Sequence, residues 1–197
     1  GMIRPGILDQ VHPFDVPGSL QIGDSVQLSV FGTDRFGNSL TLDEMKWSAH
    51  SPDIGSITDS GIFTAGTVAG EYFEQGISAR GILRGVESSV IIPLKIEPGP
   101  AESLHILPDN DSVAIGAGSP FVVLASDAYG NVLDIEEEEY EYEYSTAGRG
   151  SEIAIFIAGC EIGDFENAIT VTLPANIAGN AIELVARSDV NIRQRSS

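Results

Sequence analysis

The sequence predicts an all-β fold made of two tandem β-sandwich domains, and the strongest reason is an internal repeat. Residues 22–40 begin with Ile-Gly and end with DRFGNSL, and residues 115–133 begin with Ile-Gly and end with DAYGNVL. The two stretches are 93 positions apart at both ends (115 − 22 = 93 and 133 − 40 = 93). A period of this length matches one β-sandwich, so we expect one domain at 1–97 and a second at 98–197.

The composition supports this prediction. Residues with high β-propensity are abundant, and good helix formers rarely recur at helical spacing. A domain of roughly 95 residues buries enough surface to fold without covalent crosslinks. Cys160 is the only cysteine, so no disulfide bond can form within the chain. We expect Cys160 to be a small buried apolar residue rather than a nucleophile.

The charge of the chain excludes several partners. The net charge is −19, with 29 acidic residues against 10 lysines and arginines. Such a field repels nucleic acid and anionic lipid, so we expect no nucleic-acid partner. No stretch approaches the ~20 apolar residues of a membrane helix, so no membrane insertion is predicted in this segment. The acidity indicates the solubility of an exposed protein, with divalent-cation binding as the alternative.

The first five residues, GMIRP, lack the apolar core of a signal peptide. We expect that a signal or an anchor has been removed, or that the chain is a segment of a longer protein with neighbouring domains.

The first domain shows the strand and turn pattern in order. Val26, Leu28 and Val30 alternate with polar residues, as one face of a half-buried strand requires. Residues 34–38 contain Asp, Gly and Asn and predict a turn. The next strand, 45–49, carries the only tryptophan, Trp47, which we expect to be largely buried in the middle of the core.

Four more strands complete the predicted first domain. Residues 54–58 and 61–66 are short strands around a turn, and residues 72–79 and 86–96 form the last pair. Pro93 interrupts the final strand, which predicts an edge position or a bulge. Residues 97–101, EPGPA, then form a stiff linker that limits the swing between the domains.

The second domain departs from the first in its second half. Residues 67–70, TVAG, resemble residues 176–179, NIAG, which lie 109 positions later (176 − 67 = 109). This match predicts a sixteen-residue insertion after the third strand (109 − 93 = 16). It also places the equivalent of Val86 at position 195. We therefore expect either a much shorter substitute strand at 189–194 or an incomplete closing strand that leaves an open sheet edge, and in both cases a less stable second domain.

The segment 136–144, EEEEYEYEY, lies in the same region. Alternation puts Tyr140, Tyr142 and Tyr144 on one face and glutamates on the other. We expect the tyrosines to pack inward behind a solvated acidic face, and the alternative is a platform for a cation or a basic partner. Residues 153–158 are continuously apolar and predict a buried strand or a covered edge.

A family resemblance follows from these motifs taken in order. The turn Asp-x-[Phe/Tyr]-Gly-Asn-x-Leu resembles that of bacterial immunoglobulin-like domains, the tandem repeats of invasin- and intimin-type adhesins. The stretch 61–70, GIFTAGTVAG, is similar to the second half of such a domain, and 168–179 is similar to the invasin variant. The resemblance implies two immunoglobulin-like β-sandwiches that act as rigid beads at a cell surface, with no shared catalytic residues.

No residue type occurs in a pattern that assigns chemistry. His12, His50 and His105 are isolated, and no Cys/His spacing matches a zinc site. Residues 109–111, DND, and Asp127 could offer oxygens to calcium, but no twelve-residue calcium loop is present. No Gly-x-Ser-x-Gly motif surrounds a serine. We therefore assign no catalytic, cofactor-binding or metal-binding residue and expect a protein that is not an enzyme.

Two functions remain as hypotheses. The first is a structural or adhesive segment of a prokaryotic cell-surface or exported protein, extracellular in location, with an unidentified protein or surface ligand as partner. The alternative is a carbohydrate-binding accessory module of an exported enzyme. A sugar site needs exposed aromatic side chains, and the only concentrated set is Tyr140, Tyr142 and Tyr144.

Overall fold

The computed structural model describes residues 6–150 and 154–196, and these residues are mostly β-strand. Within them there is no α-helix, and the only helical segment is a 3₁₀ turn at Glu137–Glu139. The predicted all-β class is confirmed. The contacts divide the chain into two compact units, Gly1–Pro98 and Gly99–Ser197. None of the described residues belongs to a helix long and apolar enough to cross a membrane.

The described residues of the first unit, 6–98, form ten strands. They are β1 (Gln10–Phe14), β2 (Leu20–Gln21), β3 (Ser25–Gln27), β4 (Ser29–Thr33), β5 (Ser39–Leu40), β6 (Glu44–Ala49), β7 (Gly55–Ile57), β8 (Ile62–Ala65), β9 (Gly70–Leu83) and β10 (Val86–Glu97).

These strands form two layers. One layer combines the sheets β1-β4-β5 and β3-β8-β7, and the other is the sheet β2-β10-β9-β6. β3 and β4 are the two halves of the predicted first strand. That strand breaks at Leu28, whose N–H donates to the carbonyl of Gly61 at 2.8 Å. One half therefore pairs with β8 and the other with β1.

The core of the first unit lies between the layers. Phe63 on one layer and Ile77 on the other are both 0% exposed. Leu28 is fully buried and Val26 and Val30 are half-buried, so the predicted apolar face is confirmed. Pro93 lies at a register shift between Ile92 and Leu94, which confirms the bulge.

Trp47 corrects a sequence prediction. It packs against the core but is only half-buried, whereas Phe63 occupies the centre. The reason is position, because β6 is an edge strand of its four-stranded sheet and has a neighbouring strand on one side only.

In the described part of the second unit, 99–150 and 154–196, the same ten strands recur. They are β11 (Ser103–Leu107), β12 (Asn110–Ala114), β13 (Gly118–Pro120), β14 (Val122–Ser126), β15 (Val132–Leu133), β16 (Glu141–Tyr144), β17 (Gly148–Gly150), β18 (Ile155–Ala158), β19 (Gly163–Leu173) and β20 (Leu184–Arg193). Their sheets, β11-β14-β15, β13-β18-β17 and β12-β20-β19-β16, match the strand orders of the first unit one for one.

The predicted sixteen-residue insertion is wrong. Gly66 donates its N–H to the carbonyl of Ile54 at 2.7 Å, and Gly159 donates to Ala147 at 2.9 Å. Both pairs keep the offset of 93 (159 − 66 = 93 and 147 − 54 = 93). Gly163 opens β19 as Gly70 opens β9, so the sequence match of Gly70 to Gly179 joined two unrelated connections.

The predicted incomplete closing strand is also wrong. β20 pairs with β19 on one side and with β12 on the other, as β10 pairs with β9 and β2. The extra residues lie later than predicted, in the connection 174–183, which replaces the two-residue turn of Arg84 and Gly85. The second unit therefore closes its own sheet within the described residues.

Candidate functional site

The sequence motif that repeats most closely forms the same turn around a buried aspartate in both units. In the first unit, the Oδ1 atom of Asp34 accepts hydrogen bonds from the backbone N–H groups of Phe36 at 2.9 Å and Asn38 at 3.0 Å. Its Oδ2 atom accepts from the side-chain amide of Asn38 at 2.9 Å and from the N–H of Gly6 at 3.1 Å. Gly37 has φ of 85°, which explains the glycine at that position of the turn.

The second unit repeats this arrangement at Asp127. Its Oδ1 atom accepts from the N–H groups of Tyr129 and Asn131, both at 2.9 Å. Its Oδ2 atom accepts from the side-chain amide of Asn131 at 2.8 Å and from the N–H of Gly99 at 2.9 Å. Each aspartate thus joins its own turn to the chain that leads into the first strand of its unit.

Burial and hydrogen bonding set the charge state of these aspartates. Hydrogen bonding from the Asn38 side chain is the main cause that lowers the pKa of Asp34. Burial alone would raise the pKa of Asp127, but the hydrogen bonds from Asn131, Gly99 and Tyr129 outweigh it, and the pKa is lowered. Both groups are carboxylates at neutral pH, which suits an acceptor of four donated hydrogen bonds.

The segment before β11 is held by further contacts within the second unit. Ala101 donates its N–H to the carbonyl of Ala178 at 2.9 Å. Gly179 has φ of 74°, and a Cβ there would lie 3.3 Å from the Cβ of Pro100. The predicted Pro-Gly-Pro linker is therefore packed onto its own unit from Gly99 onward.

The tyrosine and glutamate segment folds as the sequence predicted. Tyr140 is 7% exposed, and Tyr142 and Tyr144 are half-buried against the core. The rings of Tyr142 and Tyr144 lie 6.0 and 6.4 Å from that of Phe121, edge to face. The hydroxyl of Tyr142 donates to the carbonyl of Glu137 at 3.1 Å. Burial, followed by the nearby Glu137 carboxylate, raises the pKa of Tyr142 to about 12.

The neighbouring segments are placed as follows. Glu141 and Glu143 are exposed on the other face of β16. β18 (Ile155–Ala158) is the middle strand of its sheet, which confirms the buried-strand prediction; Ile153 lies outside the described residues.

The remaining candidate residues are dispersed. His12 donates or accepts a hydrogen bond with the hydroxyl of Thr33 at 2.8 Å, and His50 and His105 are exposed. The carboxylate of Asp111 accepts a hydrogen bond from the hydroxyl of Ser119. In residues 6–150 and 154–196, no group of three His, Cys, Asp or Glu side chains comes together in a way that could hold a metal ion.

Cys160 is exposed, directly after β18, so the prediction of a buried thiol is wrong.

Sequence reasoning missed Gly6 and Gly99, the donors to the two aspartates. The signal was available, because the dipeptides Pro5-Gly6 and Pro98-Gly99 also lie 93 positions apart (99 − 6 = 93). Backbone donors carry no side-chain signature, so only this spacing could have identified them.

The chain was compared with known proteins. No protein-family model and no curated protein matches it. Among solved structures, it is similar to the Escherichia coli adhesin FdeC, with 16% identity, a TM-score of 0.49, 99% of this chain covered and 68% of that chain. It is similar to mouse cadherin-23 repeats EC22–24, with 12% identity, a TM-score of 0.45 and coverage of 94% and 65%.

The chain is also similar to domains 5–6 of the S-layer protein SbsC, with 17% identity, a TM-score of 0.36 and coverage of 98% and 100%. None of these TM-scores exceeds 0.49, so these similarities assign no function to the chain.

Proposed function

We propose that this chain is a non-catalytic spacer of a prokaryotic cell-surface or exported protein, built from two bacterial immunoglobulin-like domains and able to present contact surfaces to a partner. The observation that carries the proposal is the pair of aspartate turns. Each turn holds the segment of chain that leads into the first strand of its sandwich. In a chain of tandem domains this connecting segment would otherwise be flexible.

The hydrogen bonds around the junction leave little free chain. Glu97 is the last residue of β10, and its carbonyl accepts the N–H of Ile22 at 3.2 Å. Gly99 is already held by Asp127. Only Pro98 lies between these anchored residues, and a proline has a restricted φ. The single unanchored residue at this junction supports the proposed spacer role.

The surface chemistry supports an extracellular role. The net charge of −19 keeps an exposed chain soluble and repels anionic polymers. The absence of a pair of cysteines is compatible with export because each unit has its own packed core. The sequence resemblance to bacterial immunoglobulin-like domains supports a cell-surface location.

The carbohydrate-binding alternative loses its main support. Its platform required exposed tyrosines, but Tyr140 is buried and Tyr142 and Tyr144 pack against Phe121. No other observation favours this alternative.

The location can be tested on cells of the source organism with an antibody raised against residues 1–197. We expect labelling of intact cells that does not increase when the cells are permeabilised. Labelling that requires permeabilisation would contradict the proposal. An antibody against a cytoplasmic protein provides the control for cell integrity.

A further inference from the structure

The outer face of the β1-β4-β5 sheet is apolar at its centre. In the strand register His12 lies opposite Phe31, and Phe14 lies opposite Ser29. Val11 and Leu40 point the other way, into a buried cluster. The rings of His12 and Phe31 stack with centroids 5.3 Å apart, and Phe14 is 62% exposed. We call His12, Phe14 and Phe31 the first apolar face.

The equivalent sheet of the second unit, β11-β14-β15, has an apolar outer face at the same positions. Leu107 lies opposite Val122, and His105 lies opposite Leu124. Val132 on β15 adds a further outward side chain that is 54% exposed. We call His105, Leu107, Val122, Leu124 and Val132 the second apolar face. The residue types differ between the units, but the apolar character recurs.

Neither face contains a charged residue of the Asp, Glu, Lys or Arg type. The other outward positions of these strand pairs are Gln, Ser and Thr. In contrast, the outer face of the four-stranded sheet carries Arg80 and Glu87 in the first unit, and Glu143 and Arg187 in the second. In a chain with 29 acidic residues, a charge-free face at the same place in both units is a distinct surface feature.

We infer that each of these faces is a self-association surface whose occupant is a second copy of this chain. Two copies that each carry a net charge of −19 repel one another, and the repulsion is smallest where no carboxylate is brought to the contact. An isologous contact places the same surface on both partners, and an uncharged apolar face is complementary to itself. A basic partner would instead gain from the acidic surfaces and nothing from these faces.

The occurrence of one such face in each unit favours a copy over an unrelated protein. A second copy supplies an uncharged apolar face of the same kind for each of them, and such a face is complementary to itself.

The test is the association state of the full chain, measured by sedimentation velocity over a concentration series. A reducing agent is present throughout, because the exposed Cys160 could otherwise link two chains covalently. We expect a reversible monomer–dimer equilibrium. Its association constant should rise with salt concentration, because salt screens the repulsion between acidic chains and leaves the uncharged contact intact.

The decisive variant places one glutamate on each face at its most exposed apolar residue, Phe14→Glu with Val122→Glu. We expect the association constant to fall at least about tenfold, because like charges then meet at both contacts. The matched control is Phe73→Glu with Ile182→Glu, which adds the same two charges at exposed apolar residues outside the faces. The control should keep the wild-type constant.

Three results would overturn the inference. They are a wild-type chain that stays monomeric up to its solubility limit, an unchanged constant in the face variant, or an equal loss in the control. Far-ultraviolet circular dichroism must show that each variant is folded. If the face variant does not fold, Ser29→Glu with Val132→Glu supplies the same test, because both residues are exposed and lie outside the core clusters.

Discussion

Gly99 donates its backbone N–H to the carboxylate of Asp127 at 2.9 Å, and this contact fixes the second unit at the residue where it begins. Gly6 makes the same contact with Asp34 in the first unit. These two contacts explain why the Asp-x-[Phe/Tyr]-Gly-Asn motif repeats. In each unit the aspartate accepts hydrogen bonds both from its own turn and from the glycine in the neighbouring segment of chain. The stability of each unit should therefore depend on its own aspartate.

The Asp127→Ala variant should lower the free energy of unfolding of the second unit by about 2–4 kcal/mol, since it leaves buried N–H donors without an acceptor. Urea unfolding followed by circular dichroism measures the loss. The fluorescence of Trp47, the only tryptophan, reports the first unit alone and should keep its midpoint. Asp134→Ala removes an exposed acid and serves as the matched control. A shift of the Trp47 midpoint equal to that of the second unit would contradict this assignment.

The free energy of unfolding should decrease at acidic pH because Asp34 and Asp127 become protonated. Their pKa values are lower in the folded state than the ordinary 3.8, so the folded state binds these protons more weakly than the unfolded state. The stabilisation is fully present above the unfolded pKa and is lost as the pH falls through the folded pKa. Urea midpoints measured from neutral pH down to about pH 3 should show this loss.

The control for the acid loss is Asp127→Asn, which cannot titrate. In this variant the midpoint of the second unit should change less with pH than in the wild type. An unchanged pH dependence would show that Asp127 does not carry the effect.

Core position, rather than residue size, should decide the cost of truncating an aromatic side chain. Phe63 is 0% exposed, so Phe63→Ala should cost about 3–5 kcal/mol. Trp47→Ala should cost less, because part of that side chain remains in water on an edge strand. Thermal unfolding followed by circular dichroism compares the two variants. A larger loss for Trp47→Ala would place tryptophan, and not Phe63, at the centre of the core.

Gly148 should be intolerant of a side chain. A Cβ there would lie 2.5 Å from the carbonyl oxygen of Ile157 and from the ring of Phe156, so the strands would have to move apart. We expect Gly148→Ala to lower the unfolding midpoint of the second unit. Gly118→Ala in the same unit is the control, because its nearest neighbour would be an ordinary 3.6 Å away. Equal midpoints for the two variants would contradict the close approach of β17 and β18.

Removal of β20 should unfold the second unit and leave the first unit folded. The strand supplies pairing to both β12 and β19, and its Val190 and Ile192 are at most 1% exposed. A chain truncated after residue 183 should lose about half of its β-sheet signal while the Trp47 transition is retained. A truncated chain with two cooperative transitions would show that β20 is dispensable.

The sequence allowed the fold and most strands of the first unit to be predicted because apolar alternation and turn residues are local signals. These local signals were not enough to match the later part of the second unit to the corresponding strands of the first unit. Gly163 and Gly179 both have positive φ, and only the strand register shows that Gly163 is the counterpart of Gly70. Trp47 was misplaced for a related reason, because alternation identifies an inward-facing residue but not whether its strand lies at an edge. The hydrogen bonds to Asp34 and Asp127 depend on backbone donors, which sequence patterns do not reveal.

The most direct test of the spacer proposal is the distribution of distances between a spin label on each unit. Cys160 provides one exposed thiol in the second unit, and Ser89→Cys provides another on an exposed position of β10 in the first. Double electron–electron resonance should give a narrow distance distribution for this doubly labelled chain, and a broader one when Asp127→Ala releases Gly99. A distribution that is already broad, and that Asp127→Ala leaves unchanged, would contradict the account.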